Sequence, residues 1–118
     1  MTRGMRFLFY GTDTLSTAVL SRLHGRPDLS SLHVVTKNTS TPVHRYCTKH
    51  SIDVEVHDKG RVPRKGDSLE EWQGVVASFG NLIPGRVIRG VGGRFVNVHP
   101  SLIPKHQVMM RSESDGET

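Results

Sequence analysis

The stretch RFLFYGTDTLSTAVLSRLHG, residues 6–25, decides the fold. Its first half is an apolar run closed by Gly11, with no alternation of polar and apolar residues, as suits a strand buried on both faces of a parallel sheet. Its second half sets Leu15, Ala18, Val19 and Leu23 at helical spacing behind polar capping candidates, with Gly25 near the end. A buried strand that leads through a short turn into a helix is the opening of a parallel crossover unit.

The same alternation continues along the chain. LHVVT (32–36) reads as a second strand, and STPVHRYCTKHS (40–51) as a helix with Thr41 as cap, Pro42 in the first turn, and Val43, Tyr46, Cys47 and His50 on one face. IDVEVH (52–57) alternates as a third strand, and DKGRVPRKGD (58–67) carries the Gly, Pro and charge of an exposed loop. SLEEW (68–72) resembles a capping box, with Ser68 and Glu71 correctly spaced and Trp72 directed inward. GVVASFG (74–80) reads as a fourth strand, IPGRVIRG (83–90) as a short helix from Pro84, and RFVNVH (94–99) as a fifth strand. Right-handed crossovers between such strands give a doubly wound parallel α/β sheet, Rossmann-like. Residues 5–104 form its one domain. The remainder, 105–118, has no helical or strand periodicity and an acidic end, so it reads as a disordered tail.

Length and composition agree. A chain of 118 residues has room for a single modest core. It contains no apolar run near the roughly 18 residues of a membrane span, so a soluble globular protein without a bilayer role is expected. The one cysteine, Cys47, has no internal disulfide partner and lies in an amphipathic stretch, which points to a reducing compartment and a structural thiol. The net charge is +5; residues 1–104 hold 14 basic and 8 acidic side chains, a balance that permits a polyanionic partner without requiring one. The basic loop residues Arg61, Arg64 and Lys65 read as a solvated, flexible loop in preference to an RNA clamp. The start, MTRGMRFLFY, has neither a signal-peptide core nor a long amphipathic transit segment.

In an open parallel sheet, ligands bind beyond the carboxyl ends of the strands, where strand order reverses. The first, fourth and fifth strands end in YGTD, ASFGN and NVHPS, so these tips should line one crevice. GTDTLS has one glycine where a dinucleotide fingerprint needs three, which argues against NAD. Asn97 and His99 flank Val98 and should project to the same face of their strand. An amide that donates to a developing oxyanion, beside an imidazole that exchanges a proton, suits acyl-type transfer to an amine. The same pair also suits a plainer role, with His99 bonded to loop backbone and Asn97 capping a turn. His24, His33, His44, His50 and His57 lie on helix or strand surfaces without shared spacing, and no CxxC or HExxH is present, so no metal site is expected.

With the tips assembled, the chain resembles the methionyl-tRNA formyltransferase family. The matching segments are FLFYGTD, LHVVT, TPVHRYC, GVVASFGNLIP and above all FVNVHPSLIPK, which in order take in most of the body up to Lys105. NxHPSLIP is specific to folate-dependent formyltransferases as a group, and VVASFG with the loop TKNTSTP favours the mitochondrial type. The resemblance implies transfer of the formyl group of 10-formyltetrahydrofolate to the α-amino group of methionyl initiator tRNA. It implies Asn97 and His99 as the catalytic pair, Ser101, Leu102, Ile103 and Pro104 as a folate-binding segment, and Phe79, Gly80, Leu82 and Ile83 as the opposite wall. Gly11 and Thr12 are placed beside the substrate amine. No metal, a monomeric parent enzyme and a mitochondrial location follow from the same likeness.

Two departures accompany it. The family continues with RWRGxxP and, a few dozen residues past the histidine, an aspartate that orients the imidazole. Here residues 105–118 read KHQVMMRSESDGET, and Asp115 in the tail is not a substitute. The expectation is thus the partial N-terminal domain of such an enzyme, its sheet incomplete at the C-terminal end and inactive alone. The alternatives are a noncatalytic fragment or a folate-dependent formyltransferase acting on a nucleotide or sugar amine.

Overall fold

The computed structural model describes residues 4–58, 63 and 69–98. Five strands, β1 (Met5–Gly11), β2 (Leu29–Thr36), β3 (Asp53–Val56), β4 (Gln73–Ala77) and β5 (Phe95–Val98), alternate with helices α1 (Thr14–His24), α2 (Pro42–Lys49) and α3 (Gly85–Gly90). All pairings are parallel, in the order β3-β2-β1-β4-β5. The first three strands step outward in one direction from β1 and the last two in the other. Right-handed crossovers therefore put α1 and α2 on one face and α3 on the opposite face. The doubly wound arrangement expected from the sequence is present, with its reversal between β1 and β4.

Two cores lie on the two faces. Phe7, Phe9, Val34, Val75 and Val98 pack with Leu20, Val43 and Cys47 beneath α1 and α2. Leu8, Tyr10, Val35, Val76 and Phe95 pack with Val87 and Ile88 of α3, with Val91 that caps its C-terminal end, and with Trp72 on the other side. Burial of β1 on both faces explains why its sequence shows no alternation.

Local readings need four corrections. The buried side of α1 is Ser16 and Leu20, flanked by Val19 and Leu23, whereas Leu15 and Ala18 point outward and Leu15 is 46% exposed. Ser16 can face the core because its hydroxyl is bonded there. SLEEW starts no helix in the described residues: the Trp72 N–H donates to the Leu69 carbonyl at 3.0 Å, closing one turn that runs directly into β4. Ser68 lies outside the described residues. β4 ends at Ala77, three residues early, because Ser78 turns into the left-handed region at φ 54. Of the histidines read as scattered surface residues, His33 is buried, with Nε2 2.9 Å from Glu55 Oε2, while His24 and His50 meet around Tyr46.

Cys47 is fully buried, as its place in the amphipathic stretch suggests. Burial pushes its thiol from 9.0 up to about 12. The unfolded thiol ionises first, so the stabilisation held by the neutral buried thiol is complete below about pH 9 and is lost as pH rises toward 12. At about pH 8, an aromatic disulfide reagent should label the native chain on the order of 100-fold more slowly than the chain in concentrated guanidinium chloride. Equal rates would show an accessible thiol. Gly74 gives a second test. A Cβ there would stand 2.5 Å from Phe95 Cδ2 and 2.6 Å from Cε2, and the Phe95 ring is itself buried against Tyr10. Gly74→Ala should cost about 1–3 kcal/mol by urea unfolding, as overpacking of a filled core does.

Candidate functional site

Open carboxyl ends of parallel strands leave backbone groups that the sheet cannot pair. At the β1 and β4 ends Thr12 and Ser16 take up these groups between them. Thr12 donates its N–H to Ser16 Oγ at 3.2 Å and its hydroxyl to the Phe79 carbonyl at 3.2 Å, and its carbonyl accepts the Val43 N–H of α2 at 3.3 Å. Ser16 in turn bonds the Ala77 carbonyl, and its N–H donates to Asp13 Oδ1 at 2.9 Å, so Asp13 caps α1. Gly11 is required by contact: an added Cβ would lie 2.6 Å from Phe9 Cε2 and 2.9 Å from Ser16 Cβ. Gly11 and Thr12 thus sit at the reversal point between β1 and β4. All three polar groups of Thr12 are engaged within the fold.

Beyond β4 the chain makes a short loop. Ser78 (φ 54) and Gly80 (φ 83) are both left-handed, and between them Phe79 is buried edge-on to Tyr10, with ring centroids 5.1 Å apart. Ile83 is buried, whereas Leu82 is 65% exposed, an apolar side chain offered to solvent beside the rim. Of the residues expected to form this wall, Phe79 and Ile83 pack into the domain, and Gly80 and Leu82 face outward.

Asn97 lies on β5 opposite Val76, which lies opposite Tyr10, which lies opposite Val35, and Val35 pairs with Glu55. One row therefore crosses the sheet on the α3 face, with the half-buried Asn97 amide two strands, or about 10 Å, from Tyr10. The sequence reading passed over Tyr10 as one more apolar strand residue. Burial, and then the nearby Glu55 carboxylate, push its phenol well above its ordinary 10.0, so it remains a neutral hydroxyl. No side-chain spacing within one segment signals this row, because its members come from five strands. His99, Ser101, Leu102, Ile103 and Pro104 lie outside the described residues, as do Asp115 and the loop residues Arg61, Arg64 and Lys65. Among the described residues, no group of three or more His, Cys, Asp or Glu side chains is placed to hold a metal ion, and no helix is long and apolar enough to cross a membrane.

A parallel sheet in this order, with strand order reversing between β1 and β4, defines a Rossmann-like α/β domain, a class of sheet whose members bind small molecules across the strand ends. The profile described as formyl transferase matches residues 8–111, and the chain belongs to that family. The chain is 33% identical over 115 residues to a methionyl-tRNA formyltransferase of Staphylococcus epidermidis, covering 86% of this chain and 36% of that protein. It is 34% identical over 111 residues to the mitochondrial methionyl-tRNA formyltransferase of Rattus norvegicus, covering 85% and 27%. The chain thus spans about a third of the length of the curated relatives it matches. Among solved structures, the phosphoribosylglycinamide formyltransferase of Brucella melitensis superposes with a TM-score of 0.60 at 20% identity, over 89% of this chain and 61% of the other. That likeness concerns the fold.

The Thr12 hydroxyl bond to the β4 loop is testable by itself. Thr12→Val keeps the shape and removes the donor to the Phe79 carbonyl, and should lower stability by about 0.5–1.5 kcal/mol in urea. An unchanged unfolding midpoint would mean that the rim does not rely on this bond.

Proposed function

We propose that this chain carries the formyl-transfer portion of a folate-dependent enzyme whose acceptor is the α-amino group of methionyl initiator tRNA. The observation that supports it best is the position of Asn97. It stands in register with Val76 and Tyr10, at the carboxyl end of the sheet and on the side to which the β4 loop turns. Family membership supports formyl transfer, and relatives named methionyl-tRNA formyltransferase, at 33% and 34% identity, support the tRNA amine.

The residues present suit a folate cosubstrate. Phe79 and Ile83 are buried and Leu82 is exposed, which makes the β4 loop an apolar edge for a flat heterocycle, and Gly80 leaves space, since a Cβ there would meet nothing within 4 Å. The folate supplies an activated formyl group on N10. The acceptor amine forms the new N–C bond to the formyl carbon as the bond from that carbon to N10 breaks; the amine gives up a proton and N10 gains one. As negative charge develops on the formyl oxygen, the Asn97 amide N–H donates to it. His99, two residues on, is proposed to exchange the amine proton. Ser101, Leu102, Ile103 and Pro104 are proposed as the facing folate segment, and Gly11 and Thr12 as the floor of the amine side. Of these last two, Thr12 acts through the shape it gives the rim, since its own polar groups are engaged.

A mitochondrial location is proposed from VVASFG and TKNTSTP, because identity to the bacterial and mitochondrial relatives is nearly equal. The proposal is tested against the expectation of a chain inactive alone: with fresh 10-formyltetrahydrofolate and methionyl-tRNA the chain should give formylmethionyl-tRNA, and Asn97→Ala should reduce kcat about 100- to 1000-fold. Formylation of glycinamide ribonucleotide instead would move the acceptor to a nucleotide amine. Absence of transfer to either acceptor would leave a noncatalytic fragment.

A further inference from the structure

The loop proposed to face the folate is short, turns twice through left-handed residues, and exposes Ser78, Gly80 and Leu82. Between Ala77 and Ile83 its one buried side chain is Phe79. Whatever holds the Phe79 ring therefore sets where the loop stands. One side is Tyr10 from β1. The other is His57, whose ring lies edge-on to Phe79 at 89° with centroids 5.2 Å apart. His57 follows β3, an outer strand three places from β4, so this contact reaches over the ends of β2 and β1.

His57 is itself anchored. Its N–H donates to the Thr36 carbonyl at 2.7 Å at the β2 end, and the Thr36 hydroxyl lies 2.8 Å from the Thr41 hydroxyl that caps α2. From α2 the Val43 N–H returns to Thr12, and the Thr12 hydroxyl to the Phe79 carbonyl. The path closes on itself: Phe79 is held by its carbonyl through Thr12 and by its ring through His57 and Tyr10. Edge-to-face rings fix orientation as well as position, because the positive edge of one seeks the negative face of the other.

We propose that His57 is a positioning residue for the 78–83 loop, acting through Phe79 to hold that loop in the conformation that receives the folate. The inference rests on the folate reading of this loop for its functional half, while its structural half stands on the ring contact alone. His57→Gln removes the ring and keeps a polar side chain of similar size, and His57→Phe keeps a ring. Amide exchange at Gly80, Asn81 and Leu82 should be roughly 3- to 10-fold faster in His57→Gln and close to wild type in His57→Phe, with exchange in α1 unchanged. The dissociation constant for 5-formyltetrahydrofolate, a folate that does not transfer its formyl group, should rise by a similar factor in His57→Gln and be restored in His57→Phe. Unchanged loop exchange in His57→Gln overturns the proposal, as does unchanged affinity when the wild type binds. If the wild type binds no 5-formyltetrahydrofolate, the folate reading falls and exchange still decides the clamp. Should His57→Gln not fold, Phe79→Leu breaks the same contact from the other side and must loosen the same three amides, or the proposal fails.

Discussion

The rim of this domain depends on the commitment of Thr12 in three directions. Strand ends in a parallel sheet leave N–H and C=O groups that require partners, and a loop that satisfies them with its own side chain is fixed where it stands. Here one residue joins the β1 end to α1, to α2 and to the β4 loop. Gly11 lets α1 approach closely enough for Ser16 to reach the β4 carbonyl, since any Cβ would strike Phe9 and Ser16. The same commitment separates this turn from a dinucleotide site. In the latter the first turn leaves backbone N–H groups free for a pyrophosphate, whereas here the Thr12 N–H is turned inward to Ser16.

Most of the framework was legible in the sequence because burial on both faces leaves a plain signature. FLFY, VV and VVA are continuous apolar runs, and the caps Asp13 and Thr41 stand where the helices begin. What was not legible depends on partners distant in sequence. Ser16 looks like a surface residue until the carbonyl it bonds, 61 residues away, is known, and misjudging it rotated the expected face of α1 toward Leu15. Ser78 gives no sign of its left-handed backbone, so β4 was drawn too long. Asn97 was readable as a candidate because a strand places i and i+2 on one face. Its alignment with Tyr10 and Glu55 was not, since register between strands is set by the packed sheet.

The two faces of the sheet divide the work of positioning. Beneath α1 and α2 the core is aliphatic and aromatic, with Cys47 neutral within it, and it fixes β1, β2 and β4 relative to one another. On the α3 face the packing is aromatic: Phe95 lies over Gly74 and against Tyr10, and Tyr10 against Phe79. Because Phe95 and Asn97 share that face of β5, the ring that packs under Tyr10 also sets the height and tilt of the strand that presents the amide. α3, a helix of six residues without a side-chain cap, holds its place through Val87, Ile88 and Val91 against this aromatic layer.

In the proposed reaction the group that Asn97 serves is the formyl oxygen, which belongs to the folate and is the same whichever amine attacks. On the proposed assignment, the row from Glu55 to Asn97 and the loop held at Phe79 bear on the donor side of the transfer, whichever amine attacks. Sequence likeness runs to enzymes named for methionyl-tRNA, while the fold superposes on enzymes named for phosphoribosylglycinamide. What the two sets of relatives share with this chain is the parallel β1–β5 framework. Selection between a small nucleotide amine and an amine carried on a tRNA must come from groups beyond the row, where the size and charge of the two acceptors differ. The described residues accordingly agree with both kinds of relative in fold.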